Sequence, residues 1–75
     1  MEENKDKQLT LGETRVRTTF NPSNNSTVDV IKQKTAELIN ICEELKAQGK
    51  DARTLALAQT AYEKAAMWAV KGATS

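Results

Sequence analysis

Apolar residues recur every three or four positions along two stretches of this chain. In the first, Val28, Ile31, Leu38, Cys42 and Leu45 keep that spacing, Thr35 fills one slot, and Ala36, Ile39 and Ile41 widen the stripe. Such a period places residues on one side of an α-helix. Ser26 with Asp29 three positions on reads as the N-terminal cap, with Asp in place of the usual Glu or Gln, and Gly49 reads as the stop. A helix over 27–48 would be about 33 Å long at 1.5 Å per residue. In the second stretch Leu55, Ala58, Tyr62, Ala65 and Ala69 form one stripe, with Leu57, Ala61, Trp68 and Val70 off it. Asp51 is a good N-cap there and Gly72 the expected end. Only Gln48-Gly49-Lys50 lies between the two stretches. So short a connection predicts an antiparallel hairpin.

The N-terminal third follows neither period strongly. Residues 1–12 are charged and polar, which predicts a flexible segment. Residues 13–25 alternate weakly, Glu13, Arg15 and Arg17 on one side and Thr14, Val16 and Thr18 on the other, and then break at Phe20-Asn21-Pro22. Pro22 steers Asn21 away from helix, so an extended arm ending in a turn is expected. The expected organisation is a flexible segment over 1–14 and a helical hairpin domain over 15–75. The fold class is all-α: an antiparallel helical hairpin with an extended N-terminal arm.

Length then changes the picture. Chains of 75 residues bury a modest share of their surface. One cysteine and no histidine exclude an internal disulfide and a zinc set. Met67, Trp68 and Val70, with Ile39 and Ile41, would leave an apolar patch exposed on a lone hairpin. Self-association into a closed homo-oligomer is the preferred outcome, with docking on a different protein as the alternative.

Candidate chemistry points to binding and not to catalysis. There is no histidine base, and Cys42 lies on the apolar stripe, where it reads as a small buried hydrophobe. Glu43, Glu44 and Glu63 read as solvated faces, and glycines 12, 49 and 72 make no phosphate loop. No cofactor is expected. The formal charge of +1 gives no broad attraction to long nucleic acids or membranes. No apolar run approaches the ~20 residues that span a bilayer, and the N-terminus is too polar for a signal peptide, which predicts a cytosolic protein. Phe20 offers a flat ring for a base to stack on, Arg15 and Arg17 suit phosphate, and Lys32 lies near a helix N-terminus that favours an anion. Asn21, Ser23, Asn24 and Asn25 offer donors and acceptors, and Pro22 limits the loop's freedom. Plainer roles stand beside these. Phe20 can be a staple on the first helix, Lys32 a solvated lysine, the arginines partners of Glu13, and the Asn/Ser run a linker and cap.

The segments "FNPSNNSTVDVIKQKTAELI" and "ARTLALAQTAYEKAAMWAVKGAT" resemble the hairpin domain of the phage anti-CBASS protein 2 family, and the C-terminal part of phage Thoeris anti-defence protein 1. The similarity runs over about residues 15–74. It implies a sponge that binds cyclic nucleotide defence signals without cleaving them, in the cytoplasm of the infected bacterium. It implies homohexamers of hairpins that hold cyclic dinucleotides such as 3′,3′-cGAMP between paired protomers. It extends to cyclic trinucleotides where three protomers meet, and to cyclic ADP-ribose isomers. The base-stacking aromatic falls on Phe20 and the phosphate-contacting lysine on Lys32, after Ile31. Arg15, Arg17, Asn21 and Pro22 fall near that pocket, and Arg53 falls at a second anion site. An adaptor hairpin that docks on a protein, and an oligomer that binds linear RNA or DNA, are the alternatives.

Overall fold

The computed structural model describes residues 9–22 and 24–75. Three helices account for most of them: α1 over Leu11–Val16, α2 over Ser26–Ala47 and α3 over Ala52–Thr74. Among the described residues there is no strand. The all-α hairpin expected from the sequence is α2 and α3. No helix among the described residues is long and apolar enough to cross a membrane.

The extended arm is not what forms at the N-terminus. Residues 11–16 are helical, and the expected boundary between residues 14 and 15 falls inside α1. The cause is a local motif. The Thr10 hydroxyl accepts from the Glu13 N–H at 3.1 Å, and the Glu13 carboxylate accepts from the Thr10 N–H at 2.9 Å. This reciprocal capping box satisfies two donors that a helix start leaves open. Gly12 and Val16, four apart, both face inward. Gly12 approaches α2 so closely that a Cβ there would lie 2.1 Å from the Ala36 carbonyl oxygen. Its N–H donates to Asn40 Oδ1 at 2.8 Å, and Asn40 Nδ2 donates back to the Thr10 hydroxyl at 3.0 Å. A six-residue helix is too short to stand alone; this one is held by its cap and by docking on α2. The flexibility expected of residues 1–8 falls outside the described residues.

The α2 cap also shifts by one residue. Asn25, not Ser26, occupies it, and its Oδ1 accepts from the N–H of Thr27 at 2.8 Å and of Val28 at 3.4 Å. Asn21 braces that cap, since its Nδ2 donates to the Asn25 carbonyl at 2.8 Å and to Asp29 Oδ1 at 3.0 Å. Part of the Asn/Ser run is therefore an ordered cap. At the other end Gln48 closes α2 and Gly49 takes φ +89°, a left-handed conformation that only glycine adopts without strain. Asp51 is the N-cap of α3, as expected, and accepts from the Thr54 hydroxyl. The expected stop at Gly72 is not one; α3 runs on to Thr74.

The core lies along the α2–α3 seam, one step round from the stripe the spacing suggests. On α2 the inward residues are Val28, Lys32, Ala36, Ile39 and Cys42, and on α3 they are Gln59 and Ala66. Ile39, counted above among the exposed residues, is fully buried, while Leu38 is 42% exposed. Val16 of α1 joins this core, with Ile31 and Tyr62 packed against it. Apolar residues surround α2 on several sides, so its own pattern does not choose the inner one. The small residues of α3 and the docking of α1 do. Cys42 is buried, as its place on the stripe suggests.

The molecule is only 12 Å across in its thinnest direction, about one helix diameter. A single layer of helices has no second layer to cover its faces. Leu57, Met67 and Trp68 are more than 60% exposed, and Val30 and Ile41 are about half exposed. Of the patch that the sequence predicts for a hairpin without a partner, Ile41, Met67 and Trp68 are exposed, Val70 is partly buried and Ile39 is buried.

Candidate functional site

Where the turn after α1 meets the C-terminal half of α3, the chain leaves an open cleft of about 470 Å³. That volume lies within the range of small-molecule sites. One wall is the 15–20 segment with Lys32 of α2, and the other is Glu63, Ala66, Met67, Val70 and Lys71 of α3.

The turn is built from Arg17. It caps α1 in a left-handed conformation, φ 58° and ψ 58°, and its N–H donates back to the carbonyls of Glu13 and Thr14. The chain then reverses, and the Phe20 N–H donates to the Arg17 carbonyl at 2.9 Å. This brings the Arg17 guanidinium to 4.2 Å from the centroid of the Phe20 ring, a cation–π stack. Phe20 is 48% exposed. It is therefore no staple sunk against α2, but a half-open aromatic face at the rim of the cleft.

Lys32 is an expected member in an unexpected setting. It is buried, and its Nζ donates to the carbonyl oxygens of Arg17, at 3.0 Å, and of Phe20. The same nitrogen lies 5.4 Å from the centre of the Phe20 ring. Burial holds its pKa below the ordinary 10.5, the nearby Arg17 charge adds to that, and Asp29 opposes it. It is not a solvated helix lysine.

Arg15 lines the cleft but is already engaged. Its Nε and Nη2 both donate to Glu63 Oε1, at 2.9 and 2.7 Å, and Nη2 reaches the Thr60 hydroxyl at 3.3 Å. The pair ties α1 to α3. Glu63 is thus no isolated solvated carboxylate, and the partner expected for Arg15, Glu13, is spent on the α1 cap. Asn21 and Pro22 do not line the cleft; Asn21 serves the α2 cap and Pro22 is exposed in the turn. Arg53 stands at the opposite end of α3, about 21 Å along the helix axis from Met67, 14 residues on at 1.5 Å each.

The α3 wall carries residues that sequence reasoning did not place here. Glu63, Met67 and Lys71 are spaced four apart and share one helix side, as do Ala66 and Val70. The signal was present in that spacing, but nothing local shows that α1 docks opposite it. Lys71 Nζ lies 5.5 Å from the Trp68 ring. The lining holds four cations, Arg15, Arg17, Lys32 and Lys71, against one carboxylate that Arg15 already neutralises. An apolar floor, an aromatic rim and surplus positive charge suit a small flat anion.

A family described as "Acb2/Tad1, hairpin domain" matches residues 12–74. Searches of curated proteins and of solved structures return no match to the chain. The matched span starts inside α1 and finishes with α3, so it takes in both walls of the cleft. By that match, the chain belongs to the Acb2/Tad1 hairpin-domain family.

Proposed function

We propose that this chain is a phage anti-defence protein that binds cyclic oligonucleotide signals and holds them without cleaving them. Family membership suggests the anti-defence role. The observation that carries the ligand class is the meeting of Phe20, Arg17 and Lys71 at one apolar cleft. Phe20 supplies a face on which a base stacks, and the two cations offer charge to a phosphate. A cyclic dinucleotide has two bases and two phosphates in twofold relation. A pair of protomers related by a twofold axis presents two such clefts to it. The exposed apolar faces of a one-layer molecule support assembly into a homo-oligomer, a hexamer in our reading, in the cytoplasm of the infected bacterium. Lacking a His base or an accessible thiol, the chain acts by affinity and stoichiometry and not by turnover.

Native mass spectrometry of the purified protein with a panel of cyclic di- and trinucleotides and cyclic ADP-ribose isomers tests this. The expected result is an oligomer that takes up intact ligands in small whole numbers. An oligomer that binds none of them would overturn the reading. The exposed Trp68, Met67 and Leu57 would then mark an adaptor hairpin that docks on a protein.

A further inference from the structure

Lys32 occupies the place of a phosphate-contacting residue, yet it is the most enclosed cation of the cleft. Only 7% of it is exposed, and it stands in register with Val28 and Ala36 on the inward side of α2. An ammonium has three hydrogens to give. Two go to backbone, to the carbonyls of Arg17 and Phe20. Those two carbonyls mark the start and the end of one tight turn. The turn begins with a left-handed Arg17, a conformation sparsely populated for any residue but glycine. It delivers the Phe20 ring and the Arg17 guanidinium to the cleft, stacked at 4.2 Å. Burial makes a charge at this position costly, and the two carbonyl acceptors offset that cost. A phosphate would be met as well by an exposed lysine, with no such burial.

We propose that Lys32 is a positioning residue: its ammonium joins the Arg17 and Phe20 carbonyls and so presents the Phe20 ring and the Arg17 guanidinium to the ligand, while Arg17 and Lys71 meet the ligand's negative charge. The ligand half of this rests on the cyclic nucleotide reading above. The turn half does not, because the two bonds exist in the free protein. The aromatic platform is therefore ordered before the ligand arrives, which lowers the cost of binding.

Amide hydrogen exchange on the full chain without ligand tests the turn, in the native sequence and in Lys32→Met, which keeps the stem and removes the donors. Exchange at Thr18 and Phe20 is expected to rise by about tenfold, with the amides of α2 and α3 unchanged. Unchanged exchange at Phe20 overturns the proposal, even if the variant binds ligand poorly, since that combination marks a direct contact alone. If Lys32→Met fails to fold, the native protein decides. Scalar coupling across the hydrogen bonds from the Lys32 ammonium to the Arg17 and Phe20 carbonyl carbons is expected, and its absence overturns the proposal. Titration with a cyclic dinucleotide at two ionic strengths tests the division of labour. Lys32→Met is expected to bind about tenfold more weakly with the native salt dependence, whereas Arg17→Gln and Lys71→Gln each flatten that dependence. A flattened dependence in Lys32→Met overturns the positioning role. A native protein that binds no cyclic nucleotide overturns the ligand reading, and the exchange result still decides the turn.

Discussion

The hairpin buries one polar side chain of its seam near each end, and the two are used differently. Near the Gly49 turn, Gln59 is 1% exposed and fully occupied. Its Nε2 donates to the Ile39 carbonyl at 3.1 Å and to Glu43 Oε1 at 3.0 Å, and its Oε1 accepts from Lys46 Nζ at 3.1 Å. Every partner belongs to α2, and Lys46 also reaches Glu43 at 3.3 Å. This neutral, closed network fixes how α3 slides along α2. Near α1, the buried group is a cation, and its bonds leave the hairpin for the turn at residues 17–20. A buried amide satisfied within the hairpin serves the fold. A buried charge spent on a loop instead shapes the rim of an open cleft, and local rules are broken there first.

The comparison can be broken at either end. Gly12→Ala should have the largest effect. Its Cβ would meet Ala36 backbone atoms at 2.1 to 2.7 Å, which no side-chain rotation relieves. We expect a loss of about 3 kcal/mol in thermal or denaturant unfolding, with α1 undocked and the cleft opened. Most helical circular dichroism should remain, because α2 and α3 hold 22 and 23 residues against six in α1. A variant as stable as the native protein would mean that α1 does not dock on α2.

Gln59→Leu should cost about 2 kcal/mol, because it strips the amide from Glu43 and Lys46 inside the seam. Ligand affinity should stay near native. Loss of binding in this variant, folded, would show that the two ends are coupled and not separate.

Phe20→Ala should do the reverse. The ring is half exposed, so the melting temperature should barely move. Binding of a cyclic dinucleotide should weaken by about ten- to a hundredfold, the worth of ~1–3 kcal/mol of stacking per base. Equal affinity in a calorimetric titration would remove Phe20 from the site.

The smallest expected effect is a pH dependence at the Gln59 end. Hydrogen bonds from Gln59 and then Lys46 hold the Glu43 carboxyl below its ordinary 4.5. A lowered acid pKa stabilises the fold above the unfolded value, and that contribution fades as pH falls through the folded one. Melting temperature should therefore drop below about pH 4.5, and less steeply in Gln59→Leu, where the first of these bonds is gone.

Much of this was legible in the chain. The two long helices, the Gly49 stop and the Asp51 cap follow from periodicity and turn chemistry. Phe20 and Lys32 stood out by residue type and position, and both reach the cleft. The Thr10-x-x-Glu13 capping box was equally legible, yet the weak alternation over 13–18 argued for an extended arm. A motif of two paired hydrogen bonds outweighs an alternation that buries little. Which side of α2 faces inward was not legible. Leu38 and Ile39 are adjacent and both apolar, and only the fit of Ala66 and Gln59 of α3 and Val16 of α1 against α2 selects Ile39.

By itself, then, the sequence determined the two long helices, because hydrophobic spacing and caps act over a few residues along the chain. It also settled the stock of chemistry, with no histidine and one cysteine. The tertiary structure alone decided the cleft. Arg15 meets Glu63 across 48 residues and Lys32 meets the Arg17 carbonyl across 15. Such pairings depend on how closely α1 can dock, and that distance is set by the missing side chain of Gly12 against the backbone of Ala36.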